Sequence, residues 1–122
     1  MTVYVDNAHI PATVQNGGRP LTSTWCHLTA DTKAELHVFA ARLGLRRAWF
    51  QDDQRPGVLT IPGSWHYDLT ARRRAAAVRL GAVECTRQEF AQVIRTPGRE
   101  GREHLDATAV TTPSVRPEVS QP

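Results

Sequence analysis

Residues 70–85, TARRRAAAVRLGAVEC, contain a complete predicted helix-to-strand unit. Thr70 is a favourable N-cap residue, and the segment after it predicts a helix to about Leu80. Gly81 suits the left-handed position just beyond a helix, and residues 82–85 predict a last short strand. A helix that ends in Leu-Gly and returns to a strand is typical of α/β proteins.

A similar unit lies earlier in the chain. Thr32 and Glu35 have capping-box spacing and predict a helix that runs to about Leu43 and ends at Gly44. Residues 48–50 then predict a buried strand. The apolar side of this helix repeats with helical spacing at Leu36, Phe39, Ala40 and Leu43.

Shorter patterns complete the predicted domain. Further strands are predicted at residues 2–6, 25–28 and 65–68. Thr86 begins a third predicted helix. The Pro-, Gly- and Asn-rich residues 7–24 predict a long surface loop, and residues 51–64 predict a polar, turn-rich segment with a short extended piece at 58–61.

These elements predict an α/β fold, in which a small single-layer sheet of about four short, mostly parallel strands is joined to two to three helices. Residues 1–96 form the single domain in this interpretation. Residues 97–122 are rich in Pro, Gly, Ser, Thr and charge, so we expect a disordered polar tail.

The composition excludes several classes of protein. Apolar residues make up 40% of the chain and the mean hydropathy is -0.41, values typical of a soluble globular domain. No apolar run reaches the roughly 20 residues that span a bilayer, and the N-terminus lacks a signal-peptide pattern. We therefore predict a soluble cytoplasmic protein with no membrane partner. Walker, dinucleotide-binding, HExxH and nucleophile-elbow motifs are absent.

Charge and cysteine content give weaker indications. The net charge of +3 permits an anionic partner such as a phosphate-containing small molecule or a nucleic acid. Cys26 and Cys85 lack metal-ligand or redox-motif spacing and are interpreted as small buried apolar residues.

Polar residues of the metal-binding or catalytic type lie at the ends of predicted strands. Asp6 ends the first strand, where α/β sheets bind ligands, although it could merely cap a turn. His66 and Asp68 alternate along a predicted strand, so both point to one face. Such a pair suits metal binding or an oriented general base, and a surface histidine beside a helix-capping Asp68 is the alternative. His27 and Asp31 flank the start of the first helix, where a structural role is also open.

The run Arg72–Arg74 falls in the first turn of a predicted helix, where the helix dipole disfavours cations. Arginines beside open backbone N–H groups suit an anion such as phosphate, and a solvated basic face is the alternative. Among the aromatic residues, core packing is predicted for Trp49 and Phe50. Trp25 and Trp65 remain candidates for stacking against bases.

Several stretches together resemble a bacterial and phage family, domain of unknown function 4031, over about residues 1–84. The residues that carry the resemblance are Tyr4-Val5-Asp6, Trp25-Cys26-His27-Leu28, Ala30-Asp31, Glu35-Leu36-His37, Leu43-Gly44, Trp49-Phe50-Gln51, His66-Tyr67-Asp68-Leu69, Arg73-Arg74 and Gly81-Ala82. The family has no established activity, so the resemblance implies none for this chain. The resemblance does imply one shared pattern of polar residues, comprising Asp6, His27, Asp31, His37, Gln51, His66, Asp68 and Arg74.

Two functions follow as hypotheses. The first is a hydrolase or transferase for a phosphate-containing ligand, with a divalent metal ion as the candidate cofactor. Its predicted residues are the catalytic His27 and His66, the metal-binding Asp6 and Asp68, the anion-binding Arg73 and Arg74, and the supporting Asp31, His37 and Gln51. The second is a non-catalytic module that binds nucleic acid or protein through an arginine-rich face. A convergent pocket favours the enzyme, and a flat basic face favours the module.

Overall fold

The computed structural model of the chain describes residues 2–52 and 61–102. The strands are β1 (Val3–Val5), β2 (Ile10–Asn16), β3 (Arg19–Ala30), β4 (Tyr67–Thr70) and β5 (Val83–Glu84), and the helices are α1 (Lys33–Arg42), α2 (Ala71–Arg79) and α3 (Arg87–Ile94). No helix within these residues has the length and apolar character needed to cross a membrane.

The long strand β3 is the centre of a five-stranded mixed sheet. β2 and β1 pair in succession along one edge of β3, β5 pairs with the outer edge of β1, and β4 pairs with the other edge of β3. The β1–β5 pair is parallel, whereas the β1–β3, β2–β3 and β3–β4 pairs are antiparallel. The prediction of an α/β fold is confirmed, but the prediction of mostly parallel strands is wrong.

The predicted surface loop at residues 7–24 is a β-hairpin for most of its length, and this prediction is also wrong. β2 and β3 pair from Ile10 opposite Trp25 to Asn16 opposite Arg19. Gly17 and Gly18 form the connection with φ of 62° and 84°, the left-handed conformations that a tight hairpin turn requires. The prolines and glycines of this stretch concealed the strands in the sequence pattern.

The helix boundaries follow local signals. The Thr32, Thr70 and Thr86 side chains each accept a hydrogen bond from a backbone N–H in the first turn of the helix that follows. Gly44 and Gly81 have φ of 78° and 106° just beyond α1 and α2. These predictions are confirmed, whereas the strand predicted at residues 48–50 is a 3-10 helix over Arg47–Trp49. The extended piece predicted at 58–61 lies almost wholly outside the described residues.

The core lies between the sheet and the first two helices. Leu36 and Ala40 of α1 and Ala77 of α2 are buried in one cluster with Val5 and Leu28 of the sheet. Side chains alternate between the two faces of a strand, so the neighbours of these strand residues point away from this core. Asp6 and His27 are such neighbours, and they lie on the other face.

Residues 97–102 are part of the packed structure. The Arg99 side chain is 6% exposed and donates hydrogen bonds to the Ala30 carbonyl, the Gly63 carbonyl and the Thr29 hydroxyl. Its guanidinium lies 3.9 Å from the centre of the Trp65 ring. The tail predicted from residue 97 therefore begins too early. Residues 103–122 lie outside the described residues, and their predicted disorder stays a prediction.

We expect Arg99→Ala to lower the free energy of unfolding by at least about 2 kcal/mol, because it leaves buried acceptors without their donor. Arg95→Ala is the matched control, since Arg95 is an exposed arginine just after α3. Urea unfolding of both variants measures the difference. Equal unfolding midpoints for the two variants would contradict a structural role for Arg99.

Candidate functional site

Asp6 lies where the edge strand beside β3 is interrupted. Val5 pairs with Leu28 and Ile10 pairs with Trp25, so residues 6–9 bulge opposite a shorter length of β3. The Asp6 carboxylate accepts hydrogen bonds from the backbone N–H of His27 at 2.8 Å and of Ala8 at 3.3 Å. The carboxylate therefore satisfies N–H groups that the interrupted strand leaves without a carbonyl.

The same carboxylate orients the His27 ring. Asp6 Oδ2 lies 2.7 Å from His27 Nδ1. Burial alone would raise the pKa of Asp6, but the hydrogen bonds from His27 outweigh it and lower the pKa of this carboxyl. Burial would lower the pKa of His27, and Asp6 outweighs that effect and raises it. Because ionised Asp6 only accepts hydrogen bonds, Nδ1 of His27 carries a proton, and neutral His27 presents its lone pair at Nε2.

His66 is fixed in the same way by a different acceptor. Its Nδ1 lies 2.7 Å from the Ser64 carbonyl oxygen, which again places the proton on Nδ1 and the lone pair on Nε2. Its backbone pairs with Gln51 through two hydrogen bonds, of 2.8 and 3.1 Å. The predicted supporting residue Gln51 thus holds the strand that carries His66.

Strand pairing brings the two histidines to one carboxylate. His27 lies directly opposite Asp68 in the β3–β4 register, and His66 lies two residues before Asp68 on the same face. Asp68 Oδ1 is 3.8 Å from His27 Nε2 and 3.3 Å from His66 Nε2. The ligand atoms of these residues all lie within 4.8 Å of one another. The imidazole rings are 5.1 Å apart in an edge-to-face arrangement.

These distances suit a bound cation. Ligands at about 2.1 Å from a tetrahedral metal ion lie about 3.4 Å from each other. His27 and His66 each form an ion pair with Asp68 when Nε2 is protonated, at 3.8 and 3.3 Å. When both rings are neutral and carry their proton on Nδ1, the group places electron-pair donors side by side. Such donors repel one another unless a proton or a cation lies between them. We name this set, His27, His66 and Asp68, the His-His-Asp group.

A cleft with a volume of about 260 Å³ opens beside Asp68. Its walls come from the β2–β3 hairpin, from the segment after α1 and from the start of α2. The lining residues are Val14, Gln15, Leu21, Trp25, Leu45, Ala48, Trp49, Gln51, Asp68 and Arg73. The cleft is mostly apolar, with Asp68 and Arg73 as its charged groups.

The structure separates the three arginines of α2. Arg73 lines the cleft, and its guanidinium lies 5.4 Å from the centre of the Trp49 ring. Arg74 donates to the Asp6 carbonyl at 2.8 Å and forms an ion pair with Glu84 at 3.2 Å. Arg72 is exposed. Arg73 therefore lies in the cleft, while Arg74 ties α2 to the Asp6 bulge.

Two predicted supporting residues do not join the group. Asp31 accepts hydrogen bonds from the Tyr4 hydroxyl and the Thr2 N–H, both at 2.9 Å. The Nδ1 of His37 lies 3.0 Å from the Tyr67 hydroxyl, and its ring packs against Phe50. Their place in the shared pattern is therefore explained by structural contacts on other parts of the domain.

One of the aromatic predictions is wrong. Trp65, a predicted stacking residue, is 0% exposed, because Thr29 and Arg99 hold it in the core. Trp49, predicted for the core, packs against the core cluster as a half-buried residue and also lines the cleft. Trp25, the other candidate for stacking against bases, lines the cleft.

Some contributors to the site carry no signal in the sequence. Ser64 acts through its backbone carbonyl, so any residue type could serve there. Phe90 of α3 packs against the His27 ring, with the ring centres 6.0 Å apart. The thiols contribute no nucleophile, since Cys26 is fully buried and burial raises the pKa of Cys85 to about 11.

The chain belongs to the protein family described as "Protein of unknown function (DUF4031)", which it matches over residues 3–97. The matched region includes the whole His-His-Asp group, Asp6 and the cleft. Comparison with the curated proteins and with the solved structures found no match.

The hydrogen bond from His27 Nδ1 to the Asp6 carboxylate gives a direct test of the role of Asp6. In Asp6→Asn, an amide N–H can face Nδ1 of His27, which favours the tautomer with the proton on Nε2 and removes the lone pair from the group. We expect the affinity for Zn²⁺ to fall about 10- to 100-fold, as measured by calorimetry. Asp31→Asn, which changes a carboxylate outside the group, should bind Zn²⁺ as the unmodified protein does. Equal affinities for both variants would contradict this role.

His37 gives a pH prediction. Burial, together with the charges of Arg47 and Lys33, lowers its pKa. A histidine with a lowered folded-state pKa contributes full stability above its unfolded pKa of about 6.5 and loses that contribution as the pH falls through the folded value. Between about pH 7.5 and about pH 5, the unmodified protein should therefore lose more unfolding free energy than His37→Gln. Equal losses in the two proteins would show that His37 does not titrate on unfolding.

Proposed function

We propose that the protein is a metal-dependent hydrolase of a phosphate-containing substrate, with a divalent transition-metal ion held by the His-His-Asp group. The observation that carries the proposal is the convergence of two Nε2 lone pairs and one carboxylate within 4.8 Å. Both imidazoles are anchored through Nδ1, as is usual for metal-binding histidines.

The donor set favours a catalytic rather than a structural metal. Structural zinc sites are closed by four protein ligands, whereas catalytic sites use three and leave a position for water or substrate. Two histidines with one carboxylate make such an open set, and the same set also binds Fe²⁺. A metal ion held by these three residues would polarise a phosphoryl oxygen and lower the pKa of a bound water.

The surrounding residues have separate roles in this proposal. Asp6 and the Ser64 carbonyl orient the histidines, so His27 and His66 act as ligands rather than as general bases. Arg73, on the wall of the cleft that Asp68 shares, is placed to contact a phosphate oxygen. Asp6 is occupied by its contacts with His27 and Ala8, which makes it a positioning residue.

The convergence also favours an enzyme over the basic-face module. Arg46 and Arg47 are exposed, but each lies over an aromatic ring, at 5.8 Å from Trp49 and 5.2 Å from Phe50 respectively. Trp65, one of the tryptophans proposed for a flat binding face, is buried. A pocket with charged groups beside a His-His-Asp group is the arrangement expected of an active site.

The test measures metal binding and turnover in the same proteins. We expect one Zn²⁺ or Mn²⁺ per chain by equilibrium dialysis, and metal-dependent hydrolysis of p-nitrophenyl phosphate or bis(p-nitrophenyl) phosphate. His66→Ala and Asp68→Ala each remove a metal ligand, so the affinity for the metal should fall by more than about 100-fold. This loss is larger than the one expected for Asp6→Asn, which removes only a hydrogen bond to a ligand.

His9→Asn is the matched control. His9 is an exposed histidine outside the His-His-Asp group with a φ of 48°, a conformation that Asn tolerates. It should bind the metal and hydrolyse the substrates as the unmodified protein does. Metal binding that survives both ligand substitutions would place the metal elsewhere, and a metal-loaded protein without turnover on either phosphate ester would contradict the hydrolase.

A further inference from the structure

The cleft continues the face of the sheet that carries the His-His-Asp group. Trp25 lies two residues before His27 on β3, so both side chains project from one face. Leu21 follows the same alternation and pairs with Val14 of β2. A ligand in the cleft would therefore rest on the hairpin at one end and reach Asp68 at the other.

Trp25 offers a fixed aromatic surface. Its indole Nε1–H donates to the Ala12 carbonyl at 3.0 Å, which sets the orientation of the ring. The side chain is partly exposed, and among residues 2–52 and 61–102 no other ring or guanidinium lies against it. A planar group could stack on this ring without displacing an aromatic ring or a guanidinium from it.

The cleft lining also includes a cation, Arg73. Its guanidinium lies 5.4 Å from the centre of the Trp49 ring, and Arg46, which is not one of the lining residues, lies 5.8 Å from the same ring. Cation–π contacts of this kind hold a guanidinium at a defined place while leaving its N–H groups able to donate. The arginines beside Trp49 favour the binding of an anion near that ring. The Trp25 ring instead favours stacking against an aromatic group of the ligand.

We infer that the cleft binds a nucleotide, with its base against Trp25 and its phosphate between Arg73 and the His-His-Asp group. The inference rests on the proposed function for the chemistry at the phosphate, and it adds the substrate class. Leu21 and Val14 provide apolar contacts for the base, and the Gln15 amide can donate and accept hydrogen bonds at the polar edge of the base.

The size of the cleft limits the ligand. Its volume of about 260 Å³ lies just below the range of about 300–1,000 Å³ that is usual for ligand sites. One nucleotide is therefore the unit bound. It can be a free mononucleotide or the terminal nucleotide of a strand, since both present one base joined to a phosphate.

The experiment compares ligands that share the phosphate and differ in the base. Calorimetry with the Mn²⁺-loaded protein would use adenosine 5′-monophosphate, ribose 5-phosphate and a short 5′-phosphorylated oligoadenylate. Stacking of one base on an aromatic side chain corresponds to about 5- to 150-fold in affinity. We expect adenosine 5′-monophosphate to bind at least about fivefold more tightly than ribose 5-phosphate.

Substitutions at Trp25 identify the surface that the base contacts. Trp25→Leu should abolish the difference between the two small ligands, and Trp25→Phe, which keeps a ring, should retain most of it. Thermal unfolding confirms that both variants are folded. Equal binding of the two ligands by the unmodified protein, or an undiminished difference in Trp25→Leu, would overturn the inference. If the oligoadenylate binds more tightly than adenosine 5′-monophosphate, the ligand is the end of a nucleic-acid strand. If adenosine 5′-monophosphate binds more tightly, the ligand is a free nucleotide.

The same measurements separate this inference from the metal proposal. Adenosine, which lacks a phosphate, should bind equally to the unmodified protein and to His66→Ala, because the base surface does not include the metal ligands. If no divalent metal binds but the adenosine nucleotide is still preferred through Trp25, the nucleotide inference stands and the metal proposal fails. If metal binds without any preference for the base, the nucleotide inference fails alone.

Discussion

The Asp6 carboxylate connects the parts of the molecule that make up the candidate site. It is a charged group that is only 3% exposed, and it lies in the interruption between β1 and β2. The carboxylate oxygens accept hydrogen bonds from the backbone N–H and the ring of His27. The backbone carbonyl of Asp6 accepts a hydrogen bond from Arg74 of α2. An uncompensated buried carboxylate would cost several kcal/mol, so these donors are required for the bulge to exist in this form. The bulge in turn leaves His27 pointing toward β4.

The register of β3 against β4 then determines the chemistry of the site. His27 lies opposite Asp68, and His66, in the bridge to Gln51 just before β4, lies two residues from Asp68 and so on the same face. A slip of one residue would turn the core residues Tyr67 and Leu69 to this face and move the ligands to the core, at a large cost in buried apolar area. The hydrophobic core therefore maintains the geometry of the polar site on the other side of the sheet.

Local features were predictable from the sequence, and non-local pairings were not. The threonine caps and the glycines after α1 and α2 are signals within a few residues, as is the spacing of His66 and Asp68. The placement of His27 beside them depends on antiparallel pairing of β3 with β4, which leaves no mark on either segment. Arg99 illustrates the same limit, because a single arginine in a polar stretch gives no indication that it is buried beneath Trp65. The burial of Trp65 was missed because it lies in a short aromatic segment without a clear period.

The central claim is that His27 and His66 both carry their proton on Nδ1 and share one metal ion through Nε2. A two-bond ¹H–¹⁵N spectrum of the imidazole nitrogens, recorded with and without one equivalent of Zn²⁺, tests it directly. The account predicts that Nε2 of both residues is unprotonated in the neutral rings and that both Nε2 signals shift together at a 1:1 ratio, while the signals of His9 and His37 stay in place. A proton on Nε2 of either neutral ring, or Zn²⁺ shifts confined to other histidines, would contradict it.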